Sequence, residues 1–99
     1  MAEIVTIDEA RDACRIDGTE NDTIIQGYKE SAERYVTSAV GADRAVRSDP
    51  RVVAAVQAHI RLSFRPNEDK QGNLRRHMTG LIKQIATDVL PESEGENHA

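Results

Sequence analysis

The chain has 99 residues, 38% of them hydrophobic and 3% aromatic, with no Trp, one Cys and a formal net charge of −4. That length allows one domain whose thin core must come from Ile, Val, Leu and Ala, so it is expected to gain stability from partners. A single Cys14 excludes an intrachain disulfide. With no apolar leader and no run approaching the roughly 20 apolar residues of a membrane span, a soluble cytoplasmic product is expected.

In chain order, residues 1–5 read as a short extended lead-in. Thr6-Ile7-Asp8-Glu9 has the form of a capping box, a hydroxyl followed three residues later by a carboxylate. It opens a short helix over Ile7–Cys14 whose small-residue side is Ala10, Ala13 and Cys14. Ile16 anchors the exit and Asp17-Gly18 signals a turn. Cys14 has neither a nearby His nor a second Cys, so it is read as a small core residue rather than a reactive thiol.

The longest periodic stretch runs from Thr23 to Val40 and is closed by Gly41. Ile24, Ile25, Tyr28, Tyr35, Val36 and Val40, with Ala32 and Ala39 between them, recur at spacings of three and four and predict one inward helix face. Lys29, Glu30, Glu33 and Arg34 are placed mostly on the wet side. Thr19, Asn21 or Asp22 can cap the start, and Gly41 is a natural left-handed stop. Everything else is expected to pack along this helix.

Residues 41–48 form a polar connector with Val46 as its one large apolar member. Asp49-Pro50 restarts a helix, Asp as cap and Pro at the first position, and Val52, Val53, Val56, Ile60 and Phe64 form its stripe until Pro66 ends it. Arg65 to Asn73 is the most loop-like stretch. A last helix is predicted from Leu74 to Thr87, with Leu74, Met78, Leu81, Ile82 and Ile85 inward, and Gly80 in it weakens the helix or marks a close approach to another one. From Pro91 onward the chain is acidic and nearly without apolar residues, which predicts disorder. The organisation is therefore one all-α domain over residues 1–90, a small bundle of about four helices around one long central helix, followed by a disordered acidic tail over 91–99.

Charge is unevenly distributed. Residues 1–40 have a balance of −5, residues 41–90 of +4, and the tail adds Glu92, Glu94 and Glu96. Such a chain can pair front to back with a copy of itself, although solvated helix faces would give the same pattern. No phosphate-binding glycine loop, zinc-binding His-Glu motif or nucleophile elbow occurs, so no catalytic, cofactor or metal residue is assigned. His59, His77 and His98 match no metal spacing, and Asp8, Glu9 and Asp12 are better read as acids favouring a helix start than as a cation site. Arg75-Arg76-His77, with Lys70 and Lys83, suggests nucleic acid, but the Arg65–Asn73 connector is about twice the three or four residues of a helix-turn-helix turn. Overall acidity and the lack of stacking aromatics there also oppose it.

The order of these features resembles the head–tail connector (adaptor) proteins of bacteriophages and prophages. The matching positions are Asp8-Glu9-Ala10, Arg15-Ile16-Asp17, Asp22, Ile25, Ala32, Tyr35-Val36 and Gly41. The stretch Pro50-Arg51-Val52-Val53-Ala54-Ala55-Val56 is similar to the start of that family's third helix. Arg61 to Arg65 is similar to its aromatic, basic ending but lacks the usual Tyr. The likeness covers residues 6–65 well and 66–90 only in general character.

What the resemblance implies is a structural virion protein and not an enzyme: an all-α subunit, made in the bacterial host cytoplasm, that assembles into a ring beneath the portal. Its partners would be copies of itself, the portal, and head-completion or tail proteins, with DNA passing through a channel without specific binding and with no membrane involved. Asp12, Asp17, Glu30, Glu33, Arg61, Arg65, Arg75 and Arg76 are the candidate subunit and portal contacts, taken from the charge segregation. The alternative is a small helical regulator that binds DNA or a protein.

Overall fold

Four α-helices follow one another: α1 (Ile7–Cys14), α2 (Asp22–Val40), α3 (Pro50–Phe64) and α4 (Asn73–Thr87), with a 3-10 turn at Pro66–Glu68. The computed structural model describes residues 3–70 and 72–88, and among these there is no strand. The expected end of the domain near residue 90 and the expected acidic tail lie outside the described residues.

Local chemistry sets each boundary. The capping box opens α1: Thr6 Oγ1 accepts the Glu9 N–H at 3.1 Å, and Glu9 Oε1 accepts the Thr6 N–H at 2.8 Å. Arg15 ends the helix in the left-handed conformation, φ 57° and ψ 45°, so that the Ile16 N–H reaches back to Arg11 O at 3.1 Å. The N-cap of α2 is Asn21, but its side chain makes no capping bond, and Asp22 is turned toward Arg11 instead. Gly41 does stop α2, at φ 91° and ψ 151°, a glycine-only region rather than the left-handed helical one. Asp49 caps α3 through the Arg51 N–H at 2.9 Å, with Pro50 in the first turn. Asp69 caps α4 from across the connector, accepting the N–H groups of Leu74 at 2.9 Å and Arg75 at 3.0 Å.

α2 is the longest helix, and it and α3 each pack against all three other helices. Ile25, Ala32, Val36 and Val40 from α2 meet Val52, Ala55, Val56 and Ile60 from α3, and α1 and α4 add Ala10, Cys14 and Ile85. A second, smaller core of Ala58, Leu62 and Met78 sits between α3 and α4, with Leu74 and Ile82 against it. Tyr28 and Phe64 meet edge to face, their ring centres 6.1 Å apart.

Three expectations are corrected. The lead-in is part of the core: Ile4 and Val5 are buried, since so thin a helical core needs every large apolar side chain. On α2, Ile24 and Tyr35 face solvent, 54% and 48% exposed, and Ala39 is exposed as well. The buried stripe centres on Ile25, Ala32 and Val36 and turns those three to its edge. Lys29 and Glu33, expected on the wet side, are buried.

Candidate assembly surface

The buried pair on α2 exists because the lead-in is not helical. Its backbone N–H groups have no helix or sheet partner and must be satisfied if Ile4 and Val5 are to be buried. Glu33 Oε2 does so, accepting from Ile4 N at 2.7 Å and Val5 N at 3.1 Å. Lys29 lies 3.4 Å from the other oxygen of Glu33 and 3.2 Å from Glu3 Oε2, which compensates the buried charge. From the opposite side Arg47 donates to Ile4 O at 2.9 Å and pairs with Glu9. The Arg47 hydrogen bond, with the Thr6 N–H, holds the Glu9 carboxyl below its ordinary range.

The candidate contact residues fall into separate places. Arg61 and Arg65 converge on Glu68 at the end of α3, at 3.1 and 3.8 Å, and Arg65 also lies over the Phe64 ring. Asp12 shares a shallow groove with Arg61, Leu74 and His77, so an acid of the front half meets the basic half within one subunit. The Glu9–Arg47 pair does the same across 38 residues, and the two halves of the sequence are therefore not two separate faces. Asp17 is exposed on the α1–α2 loop and Glu30 on the outer side of α2. Glu33 is committed to the lead-in. Arg75 and Arg76 are exposed on the first turn of α4, where Arg76 donates to Asn73.

Two helix faces point outward. On α2, Ile24, Gly27, Ser31, Tyr35 and Ser38 are exposed along one side. On α4, Arg76, Gly80, Lys83 and Thr87 are exposed, and the helix has three bases, Arg75, Arg76 and Lys83, and no acid. Among the described residues Arg75 and Lys83 form no ion pair. Beside α2, Tyr35 lies against His59 with ring centres 4.6 Å apart, and Arg75 lines the same small depression. Burial pushes the His59 pKa down, and Arg75 adds to it. Val46, on the connector, is a third exposed large apolar residue. Counting inward positions did not reveal Ile24 or Tyr35 as surface residues; their place at the edge of the Ile25–Val36 stripe is the signal that would have.

Cys14 is buried, which raises its pKa and keeps it a thiol. Among the described residues no group of three or more His, Cys, Asp or Glu side chains is placed to hold a metal ion, and no helix is long and apolar enough to cross a membrane.

Neither curated proteins nor solved structures give a match to this chain. The model of one family, described as "Phage gp6-like head-tail connector protein", matches residues 4–97. That span starts at the buried Ile4 and takes in all four helices. A small all-α fold and a family match over nearly the whole chain converge: the chain belongs to the phage gp6-like head–tail connector family.

Proposed function

We propose that this chain is the repeating subunit of a ring in the virion, joining the portal to head-completion or tail proteins around a channel for DNA. The observation that carries the reading is a pair of outer faces: large apolar side chains exposed on α2 and an acid-free, three-base α4. Exposed apolar residues next to unpaired charge suit a surface that another protein covers. Asp12, Asp17, Glu30, Arg61, Arg65, Arg75 and Arg76 are its contact candidates, whereas Glu33 acts by holding the lead-in in place. The subunit would be made in the host cytoplasm, and the residual acidity would border the channel and repel DNA phosphates.

The test mixes the purified chain with its cognate portal and images the product. Rings capping the portal are expected. Reversing Arg75 and Arg76 to Glu is expected to weaken loading while leaving the helical circular dichroism unchanged; normal loading of that variant at low salt would remove the charge-pairing element. The acid-free α4 also favours a second reading, a helical DNA binder. Duplex binding with strong salt dependence, and no loading on the portal, would replace the first reading with that one.

A further inference from the structure

Two glycines lie inside helices where nothing among the described residues requires them. A Cβ built on Gly27 of α2 or on Gly80 of α4 would meet nothing within 4 Å. Both are exposed, and neither is among the positive-φ glycines, which are Gly18, Gly41 and Gly72. Glycine is the poorest helix former after proline, and packing or backbone conformation normally explains it inside a helix. Among the described residues neither does, so Gly80 marks no close approach to any of them.

The surroundings of the two glycines are complementary in charge. Gly27 borders a groove between the start of α1 and α2, lined by Ile7, Asp22, Thr23, Gln26 and Glu30. Asp22 is already paired with Arg11 at 3.1 Å, whereas Glu30 has no ion pair among the described residues. Gly80 lies between Arg76 and Lys83 on the helix that carries no acid. Asp22 and Glu30 are eight residues apart, about 12 Å along a helix, and Arg76 and Lys83 are seven apart, about 10 Å. Arg76 and Lys83 lie four and three residues from Gly80, and Glu30 three from Gly27, spacings that share a helix side, while Asp22, five away, lies further round the helix. The distance between packed helices depends on the side chains at the crossing point, so a glycine on each helix permits the closest approach.

We propose that α4 of one copy lies in the α2 groove of the next, with Gly80 crossing at Gly27 and Lys83 meeting Glu30. This rests on the ring-forming reading above and names its contact. Two different patches meet, so the contact is head to tail and repeats from copy to copy. Ile24, exposed next to the groove, gains cover in the same contact.

The test uses the full chain carrying Gly27→Gln or Gly80→Gln. Gln is a better helix former and has open space at both positions, so the thermal midpoint of the isolated subunit should rise by several degrees. Self-association, by sedimentation or by loading on the portal, should weaken about tenfold or more, because the added side chain holds the helices apart. Glu30→Lys and Lys83→Glu should each weaken assembly, and the double reversal should restore it. If the native chain forms rings and both glycine variants form them equally well, this contact is wrong while the connector reading stands. A native assembly that stops at two copies also overturns the head-to-tail contact. If the native chain assembles neither alone nor on the portal, the connector reading itself fails and takes the contact with it.

Discussion

The carboxylate of Glu33 accepts the backbone N–H of Ile4 at 2.7 Å, although 29 positions of chain separate them. The same oxygen takes the Val5 N–H, so one buried side chain replaces the partners that a helix or sheet would have supplied. Glu33→Ala leaves two backbone donors and the Lys29 ammonium poorly compensated in the interior. The expected cost is about 3 kcal/mol. Glu33→Gln, which keeps an acceptor but not the charge, should cost less. Urea unfolding of the two variants checks the order; equal and small losses would show that the lead-in contributes little to the fold.

At the two ends of α1 the expected effects have opposite sign. Thr6→Ala removes the hydroxyl of the capping box and should cost about 1 kcal/mol. Arg15 sits at φ 57°, where a side chain is strained and glycine is not. Arg15→Gly is therefore expected to stabilise by about 0.5–1 kcal/mol, net of the extra freedom glycine gives the unfolded chain. Thermal melts of both variants would show it, and a destabilising Arg15→Gly would contradict the strain argument.

Ile25 and Val56 are fully buried in the main core. Truncating either to Ala should cost roughly 2–4 kcal/mol in urea melts, through lost burial and the cavity left behind. Losses under about 0.5 kcal/mol would mean that the main core does not depend on them.

Acid should destabilise the subunit in two stages. His59 has a folded pKa below its usual value, through burial first and Arg75 second, so protonation favours the unfolded chain. That loss begins as pH falls through the unfolded His value of about 6.5. Three carboxylates are shifted down in the folded state. Glu9 is held by Arg47, Asp49 by Arg51, and Asp69 by the Leu74 N–H. Their contribution is present above the unfolded carboxylate value of about 4 and is lost as pH falls through it toward the folded values. Melting midpoints from pH 8 to 3 should show both stages, and His59→Gln should remove the upper one.

Helix boundaries were the most legible part of this molecule because they are written in local chemistry. Thr6 with Glu9, Asp49 with Pro50, and Gly41 each act within a few residues of themselves, and α1 and α3 have the expected ends. What stayed hidden depends on distant partners. Nothing near Glu33 indicates that it will meet Ile4 and Val5, and Lys29 and Glu33, four apart beside Ile25, Ala32 and Val36, read as wet-side charges rather than as the inward pair they form. The cap supplied by Asp69 was equally hidden, since it depends on how the connector folds back on α4. Of the candidate surface, the charges could be read from the residues, but which of them are spent internally could not, as Arg47 and Glu9 show.

The division of the interior into two cores has a consequence for how the subunit opens. Ala58, Leu62 and Met78 are separate from the main core and join only the end of α3 to the start of α4. Among the described residues that smaller cluster has three buried apolar side chains against thirteen in the main core, so it is expected to open more readily than the rest. Phe64 and Ile82 still tie that end to the main core. Native-state hydrogen exchange should find the amides around Leu62 and Met78 opening at lower free energy than those around Val36 and Val56. The same end holds Arg61, Arg65, Arg75 and Arg76, so the most basic part of the molecule is also the part most able to adjust its shape to whatever it docks against.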